Sequence, residues 1–300
     1  MKLIRGLRIY RVVALLCLAR AAWAFEVSGL STPESVLVDP KTGLYYISNI
    51  AGAPAEHDNH GFITQLDKTG KIAALRFIAG GTVGAGGKEV SLHAPKGLAI
   101  IGNVLYVSDI DRVLGFDKTT GAPLHEIDLK GLGALFLNDL VPDDQGNLYV
   151  SDTATFIDPK ALGAIFKIET RNRHRASVYV RELALGSPNG LMIHPKTKRL
   201  LANTWGAGQI LEVGHDRRIK VFAQDTTWKD LDGMDHDGVG NIYVSSFTGG
   251  NIYKIDPNLK ISLVKGGWTT PADIHVDRQA HLILIPSFNG NSVTTIAIGP

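Results

Sequence analysis

One short motif recurs six times along this 300-residue chain, and no other feature constrains the fold as tightly. The copies are Pro33-Glu34-Ser35-Val36, Pro95-Lys96-Gly97-Leu98, Leu137-Asn138-Asp139-Leu140, Pro188-Asn189-Gly190-Leu191, Leu231-Asp232-Gly233-Met234 and Pro271-Ala272-Asp273-Ile274. Each leads through a turn into a second β-rich run, such as Tyr45-Tyr46-Ile47-Ser48-Asn49 or Leu148-Tyr149-Val150-Ser151-Asp152. With Glu34, Lys96, Asn138, Asn189, Asp232 and Ala272 as markers, the spacings are 62, 42, 51, 43 and 40 residues. Most of these are near the length of one four-stranded propeller blade. No stretch keeps a helical period, which excludes an α/β fold. The sixth repeat ends at Gly299-Pro300 after three strands, and Phe25–Leu30 supplies the missing fourth. Closing the ring this way leaves no open blade edge with unpaired backbone groups. The expected fold is all-β: a six-bladed β-propeller whose last blade is completed by an N-terminal strand.

Residues 1–24 stand apart from the repeats. Lys2, Arg5, Arg8 and Arg11 precede the apolar run Val12–Ala19, and Ala22-Trp23-Ala24 offers small residues three and one before Phe25. That order reads as a cleaved signal peptide, with 25–300 as the propeller and the periplasm or exterior as destination. The run is too short to span a membrane. The leader holds five of the 31 Lys and Arg and no acidic residue, so 26 remain against 29 Asp and Glu, a formal charge of −3. A basic nucleic-acid footprint is thereby excluded. Cys17 is the one cysteine and leaves with the leader, removing disulfides, thiolate nucleophiles and cysteine metal sites from consideration.

Because the second strand of a blade runs antiparallel to the first, its end returns to the mouth where the first begins. Asn138 to Asp152, Asn189 to Asn203 and Asp232 to Ser246 are each 14 residues apart. Two concentric rings follow: an inner one of Glu34, Lys96, Asn138, Asn189, Asp232 and Ala272, and an outer one of Asn49, Asp109, Asp152, Asn203, Ser246 and Pro286. Carboxylates and amides converging on one axis are costly to bury unless something pairs them. One solution is a divalent cation held by Glu34, Asn138, Asn189 and Asp232. Oxygen donors favour calcium, with magnesium or manganese next and zinc behind them. The other is Lys96 neutralising Glu34 or Asp232 in a metal-free channel. Phe136, Asp109, Asp152 and Asn203 are positioned to face a bound substrate.

At these residues the chain resembles the senescence-marker-protein, gluconolactonase and regucalcin family of six-bladed propellers. Glu34 after Pro33, Asn189 before Gly190 and Asp232 before Gly233 match the residues that hold a divalent metal, often calcium, in that family. Asn138 matches its further channel-lining Asn. Sugar-lactonases of the family carry an Arg two residues before that Asn; here the position is Phe136. A phenyl ring cannot supply guanidinium hydrogen bonds to a polyhydroxy lactone. Leu231 replaces the usual Pro before Asp232, and the sixth motif, with Pro286, points to an exported subgroup.

The resemblance implies hydrolysis of a lactone or related ester, with Asp232 as general base and Lys96 either beside the oxyanion or in a salt bridge. A non-catalytic propeller binding a small ligand or protein partner at the same mouth is the rival reading, and a metal-assisted lyase a third. Other signals are weaker. His57 and His60 lie in a long connection and read as a solvated loop, a metal clip or a lid over the mouth, and His93 as a loop histidine. The acidic run Asp230–Asp237 lacks calcium-loop spacing, Gly80–Gly87 before Lys88 fails the phosphate-loop pattern, and no Gly-x-Ser-x-Gly elbow occurs.

Overall fold

The computed structural model describes residues 24–299, so all of the leader reading except Ala24 lies outside the described residues. Six four-stranded antiparallel sheets form the blades. Innermost strand first, blade 1 is Pro33–Val38, Tyr45–Asn49, Phe62–Leu66 and Ile72–Ala79; blade 2 is Pro95–Ile101, Val104–Asp109, Arg112–Asp117 and Pro123–Asp128. Blade 3 is Leu137–Pro142, Asn147–Asp152, Ala164–Glu169 and Arg175–Arg181; blade 4 is Pro188–Ile193, Leu200–Thr204, Gln209–Val213 and Ile219–Gln224. Blade 5 is Leu231–His236, Ile242–Ser246, Asn251–Ile255 and Ile261–Gly266, and blade 6 is His275–Asp277, Leu282–Ser287, Ser292–Ala297 and Glu26–Ser28. Successive innermost strands lie side by side, blade 6 meeting blade 1, so the ring closes.

Burial explains the strand chemistry. Second strands such as Tyr45–Asn49 and Ile242–Ser246 are buried on both faces, starting in apolar residues and ending in the buried polar pairs Ser48-Asn49 and Ser245-Ser246. Outermost strands such as Ile261–Gly266 are largely exposed. The core lies between blades: Tyr106 and Val113 of blade 2 pack with Leu140, Val150 and Phe166 of blade 3 in one buried cluster. At the closure Val27 pairs with Val293, and the Phe25 N–H donates to Thr295 Oγ1 at 2.7 Å. The Phe25 ring meets Tyr45 edge-on at 5.3 Å, tying the first described residues to blade 1 as well as blade 6.

The Gly-rich segment forms a small two-stranded ribbon, Thr82–Val83 with Glu89–Val90, and not a phosphate cradle. Among the described residues no helix is long and apolar enough to cross a membrane.

One local irregularity repeats in blades 1 to 5 and sets up the site. Pro33 pairs with Asn49 but Val36 with Ile47, so the inner strand carries one extra residue at Glu34-Ser35. The same slip occurs at Lys96-Gly97, Asn138-Asp139, Asn189-Gly190 and Asp232-Gly233. Such a bulge re-aims a side chain out of the regular alternation. Each polar residue of the inner ring, Glu34, Lys96, Asn138, Asn189 and Asp232, is therefore a bulge residue.

Candidate metal centre at the channel mouth

The five bulges bring Glu34, Lys96, Asn138, Asn189 and Asp232 together, each 2–5% exposed. Ala272 of blade 6 is fully buried and adds no polar atom. The carbonyls of the ring are held from behind. Ser151 Oγ donates to the Asn189 carbonyl at 2.6 Å, Asn203 Nδ2 to the Asp232 carbonyl at 2.6 Å and Ser245 Oγ to the Ala272 carbonyl at 2.8 Å. Ser108 Oγ donates likewise to the Asn138 carbonyl. In their own blades the same groups accept the N–H that follows each bulge: Asp139 to Ser151, Gly190 to Asn203 and Gly233 to Ser245. Ser151 and Asn203 therefore each bridge two bulges, and Ser245 ties the blade 5 bulge to Ala272 of blade 6, fixing ring residues of neighbouring blades relative to one another.

The glycines of the motif serve that closeness and do not mark turns. A Cβ on Gly190 would lie 2.2 Å from the Asp232 carbonyl oxygen, and one on Gly233 would lie 2.3 Å from both Asp273 Oδ1 and the Ile274 nitrogen. Neither glycine has a positive φ.

The electrostatics are unbalanced. Burial first, then the charges of Asp232 and Asp273, push the Glu34 carboxyl well above its ordinary range. Burial first, then Asp273 and Asp139, do the same to Asp232. One residue deeper, burial raises Asp139 well above its ordinary range and Asp273 to about 7. Lys96 is the one cation in the ring, and it pairs with no carboxylate. Its Nζ donates to the Pro54 carbonyl at 2.9 Å and the Ala94 carbonyl at 3.1 Å, and sits 4.3 Å from the Phe136 ring centroid. Burial lowers the Lys96 ammonium to about 8. Among the described residues Lys96 forms no ion pair with Glu34 or Asp232, although its charge favours the Glu34 carboxylate and the Glu34 charge in turn favours the ammonium.

Five buried side-chain nitrogen or oxygen atoms lack a hydrogen-bond partner among the described residues. Two are the indole nitrogens of Trp228 and Trp268; the other three are Asn138 Oδ1, Asn189 Oδ1 and Asp232 Oδ1. Asn138 Nδ2 donates to Thr153 Oγ1 at 3.3 Å, which leaves its Oδ1 as the free end. Three unpartnered acceptors in one ring, beside the Glu34 carboxyl, have the character of a hard-cation site. Among the described residues no three His, Cys, Asp or Glu side chains gather as metal ligands. The set is two carboxylates and two amides, an all-oxygen mixture that suits calcium better than zinc.

The outer ring differs from the sequence reading. Asp109 and Asp152 are fully buried, with their oxygens taken by backbone N–H groups of the segment before the inner strand. Asp109 accepts from Ala94 at 2.8 Å and also holds Arg112; Asp152 accepts from Phe136 at 2.7 Å. They brace the mouth from within. Asn203 belongs to the bridging layer, since Pro188 pairs with Thr204. Pro286 is displaced in the same way, because Pro271 pairs with Ser287. Equal spacing in sequence concealed both one-residue offsets. The serines one position earlier, Ser108, Ser151 and Ser245, were missed. Their recurrence before Asp109, Asp152 and Ser246 was the available signal.

His57 stacks edge-on against His93 at 4.8 Å, and the Asn59 N–H donates to His93 Nδ1 at 3.0 Å, so this connection folds back beside the Pro54 carbonyl that holds Lys96. His60 turns to Asp58 at 3.1 Å and is mostly exposed, so the two histidines form no metal clip. A cavity of about 520 Å³ occupies the opposite half of the channel, with Val36, Leu98, Met234, Asp139 and Asp273 in its wall. No inner-ring residue lines it, so the roomy end of the channel is not the end that carries the candidate ligands.

Similar structures share this architecture. A calcium-binding regucalcin from Agrobacterium tumefaciens superposes with a TM-score of 0.67 at 16% identity, covering 91% of each chain. A gluconolactonase from Xanthomonas campestris gives 0.65 at 13% identity, over 94% of this chain and 92% of that one. A virginiamycin B lyase from Staphylococcus aureus, solved with quinupristin, gives 0.62 at 15% identity, over 92% and 99%. At such identities the likeness shows the fold. No curated protein matches the sequence. The model of the SMP-30/gluconolactonase/LRE-like region matches residues 33–274, from the first inner strand to the last motif, and the chain belongs to that family.

Proposed function

We propose that the protein is an exported, metal-dependent hydrolase of lactones or related esters, with its site at the mouth formed by the five bulges. The observation that carries this reading is the set of three unpartnered buried oxygens on Asn138, Asn189 and Asp232 beside Glu34. Those four residues would hold a divalent cation, calcium for preference, which when bound supplies Lewis-acid polarisation of a carbonyl. The Asp232 carboxylate, with one oxygen toward the cation, is left with its other oxygen able to take a proton from an attacking water. The water oxygen adds to the acyl carbon, the acyl–oxygen bond breaks, and the alkoxide leaving group recovers the proton. Lys96 is a positioning residue: its hydrogen bonds to Pro54 and Ala94 and its contact with Phe136 fix the loop beside the ring. The order of basic, apolar and small residues in 1–24 supports export to the periplasm or exterior.

The test is a panel of sugar, alkyl and aryl lactones and aryl esters offered to residues 25–300 with calcium and after chelation. Hydrolysis that disappears on chelation and returns with calcium is the expected result. Tight calcium binding without turnover of any member would favour the binding propeller instead.

A further inference from the structure

We infer that this mouth takes a substrate with an apolar body, an aryl or alkyl lactone or ester, in preference to a polyhydroxylated sugar lactone; the inference rests on the hydrolase reading above. The residues immediately after the second strands of blades 4, 5 and 6 are Trp205, Phe247 and Phe288. Phe136 enters the inner strand of blade 3, and Phe156 ends the short 3-10 turn after that blade's second strand. These five rings make one unbroken arc around the mouth. Phe136 stacks on Phe156 at 5.2 Å, Phe156 meets Trp205 at 5.1 Å, Trp205 meets Phe247 at 5.3 Å and Phe247 meets Phe288 at 5.5 Å. Phe288 then packs against Ile50, Ala94 and Ile110 of blades 1 and 2. An apolar collar thus encircles the polar ring.

Phe156 is 47% exposed, while Trp205, Phe247 and Phe288 are half-buried. A continuous aromatic surface left facing solvent beside a polar centre is the form of a ligand site. The arc begins at Phe136, where the Lys96 ammonium lies against the ring with two of its donors already engaged by carbonyls. It offers broad contact area and little that would replace water on sugar hydroxyls, whose unmatched burial is strongly penalised.

Trp205 makes the test independent of turnover. Calcium-loaded residues 25–300 are titrated with dihydrocoumarin and with glucono-1,5-lactone while tryptophan fluorescence is followed, in the wild type and in Trp205→Phe. Saturable quenching by the aryl lactone, absent in Trp205→Phe and absent with the sugar lactone, is expected. Phe156→Ala, at the most exposed ring and so least demanding on folding, should raise the KM or Kd for the aryl lactone roughly ten-fold with kcat little changed. Equal or tighter binding of the sugar lactone, or indifference to Phe156→Ala, overturns the inference. Hydrolysis of the sugar lactone alone would leave the hydrolase standing without the collar's role. Binding of the aryl lactone without hydrolysis would leave the collar standing and remove the hydrolase.

Discussion

Asp232→Ala is expected to lower kcat/KM for lactone hydrolysis on the order of 10³-fold, because it removes the proton acceptor and one of two carboxylate ligands together. The same substitution has an opposite signature on stability, and that separates a ligand from a structural residue. In the wild type, calcium at about 100 times its Kd adds about 2.7 kcal/mol to the folded state. For a domain of this size, about 2–4 °C per kcal/mol makes that a rise in Tm of roughly 5–10 °C. Asp232→Ala should lose the calcium-dependent rise while melting no lower than the wild type in chelator. Without a cation, the Asp232 carboxyl is buried beside Asp273 and Asp139, each of which disfavours its charge. Removing it relieves a repulsion. Equal melting losses with and without calcium would instead make Asp232 a structural residue. The measurement is paired thermal denaturation in calcium and in chelator, alongside initial rates.

Gly190→Ala is expected to be strongly damaging for a single added methyl, costing about 3 kcal/mol or preventing folding. The added Cβ would lie 2.2 Å from the Asp232 carbonyl oxygen, 2.7 Å from Asn203 Nδ2 and 3.0 Å from the Gly233 Cα. Two of these three neighbours are backbone atoms, and Asn203 is the bridge between the bulges of blades 4 and 5. No rotamer change relieves the clash, so the inner strands must part. Chemical denaturation of the variant measures the loss. A variant that folds should also bind calcium more weakly, because Asp232 moves with its carbonyl. Gly131→Ala, where an added Cβ meets nothing within 4 Å, is the neutral control.

The inner ring was legible because the repeat marks it. Proline or leucine before the marker and glycine, aspartate or, in blade 1, serine after it recur with the blade, and the fold puts those markers at one mouth. The N-terminal closing strand was legible for the same reason: the sixth repeat came one strand short. The bulges were not, because pairing register is a property of two strands and leaves no trace in one. Counting fourteen residues from Asn189 reached Asn203, whereas the bulge and a longer turn put Thr204 opposite Pro188. Asp109 and Asp152 looked like site residues because carboxylates near a mouth do; their roles depend on which backbone N–H groups the preceding segment presents. The position of Lys96 was visible, but its partners were not, since Pro54 lies 42 residues away and Phe136 belongs to the next blade. The aromatic arc sat just beyond the aligned runs, Phe247 one residue past Ser246 but Trp205 and Phe288 two past Asn203 and Pro286, so the same one-residue offsets that misplaced Asn203 and Pro286 kept the three rings out of line.

Calcium titration of metal-stripped residues 25–300 by calorimetry comes first. One site per chain, lost in Asp232→Ala and weakened in Asn138→Ala and Asn189→Ala, is the result that follows from three unpartnered oxygens in a buried ring. No heat of binding at millimolar calcium, magnesium or manganese would contradict it, leaving Glu34 and Asp232 as carboxyls whose charge burial disfavours and the mouth as a recognition surface.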